Sequence, residues 1–166
     1  EETTKAMRVV ADHLKAAVFI LAENVEPSNV EHGYVLRRII RRAIRYGKQL
    51  GISGSFVHKI AEAVIDLYKE IYPEVKKNKD FIIEQLVREE EKFAKTLEKG
   101  LKEFEKVAGN EKLMSNGVIL GEVVFHLYDT YGFPLGLTKD LAKEKNLKVD
   151  EEDFNKRLKQ HQELSR

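Results

Sequence analysis

The chain has 166 residues, no cysteine, and a formal net charge of +1 from 29 basic and 28 acidic side chains. This length fits one domain with a single core, and the lack of cysteine excludes disulfides and thiolate zinc sites. No apolar run approaches the ~20 residues of a membrane span and no secretory segment opens the chain, so we predict a cytoplasmic protein without membrane contact. Because the chain begins at Glu1 and not at methionine, we expect it to be a fragment of a longer protein.

The first predicted element is a helix from Thr4 to Ala22, where apolar residues recur at helical spacing. Thr3 or Thr4 is expected to cap its start. His13 lies on its apolar stripe. No second ligand stands three or four residues away, so we expect a packed, hydrogen-bonded histidine and not a metal ligand.

The stretch ENVEPSNVEH, from Glu23 to His32, breaks this periodicity with a proline and several turn formers. It predicts a loop that leads into the second helix. Asn29 in this loop has two interpretations. It is either the N-cap of the second helix or a side-chain amide presented beside the basic surface of that helix.

The second predicted helix, residues 33–50, reads GYVLRRIIRRAIRYGKQL, and we call it the arginine helix. At ~100° per residue its aliphatic side chains fall on one side, and the other side carries Arg37, Arg38, Arg41, Arg42 and Arg45. The helix contains no acidic residue to pair with them. Guanidinium groups fork onto phosphate oxygens, so the pattern favours a nucleic-acid backbone, with an acidic protein partner or a solvated face as the alternatives.

Two further helices are predicted in the middle of the chain. Pro73 is expected to stop the first of them, which would pack antiparallel on the arginine helix. Its apolar stripe consists of Phe56, Ile60, Ala63, Val64, Leu67, Tyr68 and Ile71. After a polar turn at 74–79, a helix from about Asp80 to Val107 would be ~40 Å long. The run Glu89–Glu91 within it is expected to be solvated and paired with nearby lysines, and not to bind a metal.

The last third of the chain predicts shorter elements. Residues 118–120 favour a short extended segment, and residues 121–131 a helix that ends at Gly132. Thr138 and Asp150 are expected to cap the two remaining helices. The predicted fold class is therefore all-α: a multi-helix bundle with one long central helix and no linker that divides it into domains.

No motif for catalysis stands out. The sequence has no phosphate-cradling glycine loop, His-Glu metal motif, or nucleophile followed by a base in a supporting context. The histidines lack metal-ligand spacing; they are His13, His32, His58, His126 and His161. We therefore predict no catalytic residue, metal or cofactor in this chain, and expect its function to be recognition.

Two blocks of the sequence closely resemble alanyl-tRNA synthetases. ADHLKAAVFILAENVEPSNVEHGYVLRRIIRRAIRYG is similar to the segment that follows the class II catalytic domain in this family, and FHLYDTYGFPLGLT is similar to a second signature further along. The resemblance implies that residues 1–166 form a single helical tRNA-recognition domain. The parent would be the ATP-dependent ligase that charges tRNA(Ala) with alanine, and the fragment alone would be inactive.

The resemblance also implies roles for individual residues. In this family an asparagine before the arginine helix and an aspartate in the YDTYG motif grip a G·U wobble pair of the tRNA acceptor stem, and these match Asn29 and Asp129. Arg41 and its neighbours would hold the RNA backbone. Glu31 and His32 stand where the family commonly has glycine and arginine, and Gly136 where an acidic residue is usual.

The same resemblance places the expected partners. They are the tRNA(Ala) acceptor stem and an adjoining class II catalytic domain. ATP, Mg²⁺ and an editing-domain zinc are expected elsewhere in the parent enzyme, and none in this fragment. Two alternatives stay open: a helical DNA-binding module that places residues 37–45 in a major groove, and a protein-docking bundle. Preference for hairpin RNA over duplex DNA separates the first, and a basic face that binds no nucleic acid indicates the second.

Overall fold

A computed structural model describes residues 1–164 of the chain. Its contacts divide the chain into two compact units, one of residues 1–93 and one that begins at Ala94. Each unit is described by itself below. The described residues are mainly helical, with a small three-stranded sheet, which confirms the predicted helical class. A single recognition domain over the whole chain stays a prediction.

The first unit consists of four helices and the beginning of a fifth: α1 Glu2–Ala22, α2 Glu31–Gln49, α3 Val57–Tyr68, α4 Pro73–Lys77 and α5 Lys79–Ala108. α1 packs along α2 and also contacts α3 and α4. Both helices bury residues at the three- and four-residue spacing of an amphipathic helix; the fully buried ones include Leu14, Ala17, Val18, Leu21, Leu36, Ile40 and Ala43. The predicted apolar sides of the first two helices are thus confirmed.

The start of α1 differs from the prediction. The helix begins at Glu2, its N-cap residue is Glu1, and no side chain caps it. Thr3 and Thr4 therefore lie inside the first turn, so the predicted threonine cap is wrong. A helix that begins earlier takes both residues past the position where a hydroxyl can accept from the following N–H groups.

The buried face of α3 is also not the predicted one. It is formed by Val57, Ala61 and Ile65, whereas Leu67 and Ile71 are each 72% exposed. Apolar residues occur on two sides of this helix, so the periodicity alone fits two faces. Packing mainly on α1, and not on α2 as predicted, selects the face that begins at Val57.

The residues predicted to form a polar turn, 74–79, are mostly helical, because Pro73 opens the short helix α4, Pro73–Lys77. Proline suits this first helical position because its missing N–H has no partner there in any helix. Val75 in the same turn is fully buried. α5 then runs from Lys79 to Ala108, which confirms the predicted long helix to within a residue at each end.

The second unit contains the rest of α5, a 3-10 turn and six short elements: β1 Met114–Ser115, β2 Val118–Ile119, α6 Gly121–Tyr131, α7 Leu135–Glu144, β3 Lys148–Val149 and α8 Glu151–Leu164. The strand order is β1-β2-β3. β1 and β2 pair antiparallel and β2 and β3 pair parallel. The core includes large side chains that are almost fully buried: Phe104, Leu127, Phe133 and Phe154.

The helix ends of this unit follow local sequence signals in two of three cases. α6 ends at Gly132, whose φ is 70°, and the Asp150 carboxylate accepts from the Asp153 N–H at 3.0 Å at the start of α8. Both predictions are confirmed. The predicted cap Thr138 is wrong, because α7 begins at Leu135 directly after Pro134 and Thr138 is buried inside it.

Candidate nucleic-acid interface

The arginines of α2 do not form the uniform solvent-facing surface that the sequence suggests. Arg38 is exposed, whereas Arg37, Arg41 and Arg42 are partly buried. Arg45 is only 8% exposed. Partly buried guanidinium groups need hydrogen-bond acceptors from the protein, and these acceptors define the site.

Glu89 of α5 is the acceptor for two of these arginines. Its Oε1 atom lies 3.1 Å from Arg37 Nε and 2.6 Å from Arg41 Nε, and the residue is 2% exposed. The Arg41 guanidinium also lies 5.1 Å from the centroid of the Phe93 ring, a cation–π distance. The prediction that Glu89 is solvated and paired on its own helix is therefore wrong.

Glu90 is buried as well and has a different task. It accepts a hydrogen bond from the Ser55 hydroxyl and another from the Phe56 N–H at 3.1 Å. Because Phe56 is the N-cap residue of α3, Glu90 satisfies one of the donors at the start of that helix. The predicted solvation is thus wrong for this glutamate too.

Arg42 and Arg45 also have partners within the first unit. Arg42 Nη1 lies 3.1 Å from His13 Nε2, and since a guanidinium only donates, the histidine nitrogen accepts. This confirms the predicted packed, hydrogen-bonded His13. Arg45 donates to the Gln49 side chain, and its guanidinium lies 5.0 Å from the Tyr46 ring centroid.

Asn29 lies at the start of the arginine helix but does not cap it. The N-cap residue is Val30, which is extended and forms no side-chain cap, so the N-cap interpretation is wrong. Asn29 instead accepts at Oδ1 from Arg37 Nη1 at 2.5 Å. Arg37 Nη2 donates to the Pro27 carbonyl oxygen at 3.1 Å. The alternative interpretation, an amide presented beside the basic surface, describes this geometry.

Gly33 lets the loop before α2 lie against the first turn of that helix. A Cβ atom at Gly33 would lie 2.2 Å from Ser28 Oγ and 2.5 Å from the Glu26 carbonyl oxygen. The Ser28 N–H donates to the Gly33 carbonyl at 3.0 Å. Only glycine permits so close an approach of two backbone segments. This loop, residues 26–30, is therefore held at both its backbone and its side chains.

The same turn carries two further features. Burial raises the pKa of the Tyr34 phenol, and the nearby positive charge of Arg38 opposes this shift, so the phenol is uncharged at neutral pH. Glu31 has a φ of 49°, a left-handed backbone that favours glycine. No pattern in the sequence indicates the first feature, whereas the glycine that the resembled family commonly has in place of Glu31 is a signal for the second.

Asp129 belongs to α6 of the second unit, and its side chain is 51% exposed. His161 Nε2 lies 3.9 Å from its Oδ1 atom. The neighbouring Tyr128 is half-buried and packs its ring against Phe154, with the centroids 5.7 Å apart. The structure thus brings Asn29 together with arginines in the first unit and presents Asp129 on the surface of the second.

Among residues 1–164, no three histidine, cysteine, aspartate or glutamate side chains are arranged to hold a metal ion. No helix in the same residues combines the length and the apolar character needed to cross a bilayer. Arginines, an exposed amide and an exposed carboxylate are groups that bind polar ligands by hydrogen bonding.

Comparison with known proteins gives the class to which the fold and the site belong. The sequence matches the family described as tRNA synthetases class II (A) over residues 1–166, and the chain belongs to this family. Relatives are named alanine--tRNA ligase. Those from Trichormus variabilis and Thermotoga maritima are each 45% identical, over 167 and 166 residues, and the one from Borreliella afzelii is 46% identical over 168 residues.

These matches cover 100% of this chain in all three cases, but only part of each relative. The chain spans 19% of the Trichormus variabilis and Thermotoga maritima proteins and 28% of the Borreliella afzelii protein. It therefore matches one region of each of these longer ligases. The resemblance to alanyl-tRNA synthetases is confirmed at the level of the family and its relatives.

Proposed function

We propose that this chain is the part of an alanine--tRNA ligase that recognises the acceptor stem of tRNA(Ala) through its G·U wobble pair. The parent protein would be a cytoplasmic enzyme that charges tRNA with alanine at the expense of ATP. ATP with its Mg²⁺ and the editing-domain zinc would bind other parts of that protein. An adjoining class II catalytic domain would be the second partner of this region.

The observation that carries this proposal is the placement of Asn29. It is exposed in the loop that enters an arginine-rich helix, and its amide is hydrogen-bonded to Arg37 of that helix. A base-reading group directly beside cations that attract phosphates is the arrangement needed to read a nucleic-acid groove, since phosphate contacts position and base contacts specify.

The arginines of α2 would hold the RNA backbone. Arg38 is the exposed member of the five, so it is best placed for a phosphate. Arg37 and Arg41 share the Glu89 carboxylate. Arg42 and Arg45 would contribute to the same positive surface, although Arg45 is buried. Such contacts carry no sequence information.

Asp129 would supply the second base contact. A wobble pair leaves the guanine amino group unpaired in the minor groove, and an exposed carboxylate is an acceptor for it. The Asn29 oxygen already accepts from Arg37. The two residues therefore offer different chemistry: Asp129 offers acceptors only, and Asn29 offers an amide whose donor side is turned away from Arg37.

The test is the ratio of charging efficiencies on stems with G·U and with G·C, measured in the parent enzyme. Asp129→Asn keeps the shape and removes the charge, and Asn29→Ala removes the amide. Each should lower the preference for G·U by ~1–3 kcal/mol, the size of a good base contact. Asp66→Asn is the matched control, because Asp66 is an exposed aspartate that pairs with Lys69 on α3.

The three variants give different outcomes for the assignment and for its alternatives. An unchanged ratio in both Asp129→Asn and Asn29→Ala, with folding intact, contradicts the assignment. A ratio that also falls in Asp66→Asn means that the loss reflects charge on the protein in general. Melting temperatures are measured for all three variants, because Asn29→Ala also removes the acceptor of Arg37.

A further inference from the structure

A chain of hydrogen bonds joins a buried carboxylate to the proposed base-reading amide. Glu89 Oε1 accepts from Arg37 Nε at 3.1 Å, and Arg37 Nη1 donates to Asn29 Oδ1 at 2.5 Å. The third nitrogen, Arg37 Nη2, donates to the Pro27 carbonyl at 3.1 Å. All three nitrogens of one planar group are thus engaged, and a fork held at three positions has little freedom to rotate.

Glu89 is what makes this arrangement of cations stable. Arg37 and Arg41 both point their Nε atoms at the same oxygen, and their side chains are 17% and 13% exposed. Two partly buried cations so close together repel each other unless a negative charge lies between them. The Glu89 carboxylate therefore holds Arg37 in position.

Arg37 in turn fixes the orientation of Asn29. A guanidinium only donates, so the amide oxygen must face Arg37 and the amide nitrogen must face away from it. A free asparagine side chain rotates and can present either end. The contact distinguishes the two ends of this amide, which is what a residue that reads a base edge requires.

The surroundings of the loop make this contact important for its position. A cleft of about 150 Å³ separates Glu26 and Pro27 from α5, where its lining includes Gln85, Arg88 and Lys92 as well as Glu89. A loop that borders an open cleft has no packed apolar layer there to hold it. Its polar contacts, those of Arg37 among them, then determine where Asn29 lies.

We infer that Glu89 is a positioning residue for base recognition: through Arg37 it fixes the loop 26–30 and the orientation of the Asn29 amide, and it contacts no RNA itself. This inference rests on the proposed function. It differs from a purely structural role, because it predicts a loss of discrimination that exceeds any loss of affinity or stability.

Glu89→Gln in the full chain is the principal variant. Glutamine has the same size and one acceptor oxygen but no charge, so Arg37 and Arg41 are no longer held together. Glu90→Gln is the matched control, since Glu90 is the adjacent buried glutamate but holds the start of α3. Arg37→Lys is the second variant: it keeps the charge and the Glu89 carboxylate but has one nitrogen in place of three.

The first measurement needs no RNA. The side-chain amide signals of Asn29 in ¹⁵N-labelled protein should shift or broaden in Glu89→Gln and in Arg37→Lys, and stay in place in Glu90→Gln. Unmoved signals in both Glu89→Gln and Arg37→Lys overturn the inference, whatever the RNA does. If Glu89→Gln does not fold, Arg37→Lys alone decides.

The second measurement is the dissociation constant for acceptor-stem hairpins that differ only in G·U against G·C. The preference for G·U should fall about fivefold or more in Glu89→Gln and Arg37→Lys. Binding of the G·C hairpin to Glu89→Gln should be unchanged or tighter, because a negative charge has been removed. Equal weakening on both hairpins overturns the inference. A wild-type chain without any preference refutes the proposed function instead, while the amide signals still report on Asn29.

Discussion

Glu31 occupies the first turn of α2 with a φ of 49°, which a side chain with a Cβ adopts only at a cost of roughly 1–2 kcal/mol. Glycine avoids this cost but loses ~0.5–1 kcal/mol through the greater freedom of the unfolded chain. We therefore expect Glu31→Gly to raise the free energy of unfolding by about 0.5–1 kcal/mol, measured by urea denaturation.

Glu31→Ala is the control for this prediction. It removes the same charge from the first turn of the helix but keeps the Cβ atom, so it should give no such gain. A Glu31→Gly protein that is no more stable than Glu31→Ala would show that the backbone strain has been relieved in another way. Other left-handed positions need no such test, since Asn24, Asn116 and Asn146 are of a type that tolerates this conformation.

Arg38 and Arg41 differ in what they contribute, although both lie on the arginine helix. Arg38 is exposed, so Arg38→Ala should leave stability within about 0.5 kcal/mol. It should reduce the salt dependence of RNA binding by about one phosphate contact, equally for G·U and G·C stems. Arg41 is bound to Glu89 and lies over Phe93, so Arg41→Ala should cost about 1–3 kcal/mol of stability.

Salt titrations and urea denaturation of both variants check this pair of predictions. If Arg38→Ala changed only the affinity for the G·U stem, Arg38 would read a base and not a phosphate. If Arg41→Ala were as stable as the wild type, the contact with Glu89 would contribute nothing to the fold. Either outcome would contradict the proposed division of roles, in which Arg38 binds a phosphate and Arg41 stabilises the fold.

At the scale of single elements, α7 offers a direct test of helix-terminus chemistry. Its first turn contains no acidic residue. Gly136 is the second residue of the helix, and apart from its chain neighbours and the backbone of its own helix no atom lies within 4 Å of where a Cβ would be. Gly136→Asp should be more stable by about 1 kcal/mol, partly through helix propensity and partly through the helix dipole.

Two control substitutions separate these contributions. Gly136→Ala should give only the propensity gain, and Gly136→Lys should be less stable than alanine because its charge opposes the dipole. The difference between aspartate and lysine should shrink in 1 M salt. An order of stability with lysine above aspartate would contradict the dipole argument at this position.

The elements that the sequence predicts well are those fixed by local signals. α6 and its end at Gly132 follow from a stop signal within the same few residues, and Asp150 caps α8 through a contact three residues away. The prediction of the buried face of α3 fails because this helix has two apolar faces, and packing on α1 determines which one is buried. The predicted Thr138 cap is wrong because α7 begins earlier, directly after Pro134.

The candidate site likewise has parts that local sequence predicts and one part that it does not predict. The arginine-rich character of α2 and the placement of Asn29 beside it could be predicted, because both lie in one stretch of sequence. The partner of Arg37 and Arg41 could not, since Glu89 is 52 and 48 residues away along the chain. A search for acidic partners within the same helix misses a carboxylate that only tertiary packing brings near.

At the scale of the whole molecule, charge is balanced, with a net charge of +1. Long-range attraction of RNA by the entire chain is therefore weak, and the proposed binding would depend on local groups. Several of these local groups already have partners within the protein, such as Glu89 for Arg37 and Arg41 and His13 for Arg42. Under the proposed function, the chain would therefore bind RNA through a few positioned contacts and not through excess charge.

The last prediction concerns catalysis by the whole chain. We expect the isolated protein to show no alanine-dependent ATP–pyrophosphate exchange and no charging of tRNA, because in alanyl-tRNA synthetases the motifs that bind ATP and alanine precede the region that this chain resembles. The chain also spans only 19% of its relatives from Trichormus variabilis and Thermotoga maritima. The same preparation must bind a G·U hairpin, so that inactivity is not mistaken for misfolding.

A mock purification without the chain controls for synthetase from the expression host. Exchange that depends on alanine, scales with the amount of this protein and is absent from the mock sample would show a catalytic site inside residues 1–166. In that case Glu89 and Glu90 would be the first carboxylates to substitute, because they are the buried acidic side chains of the described structure. Retained exchange in Glu89→Gln and Glu90→Gln would then direct the search to exposed groups.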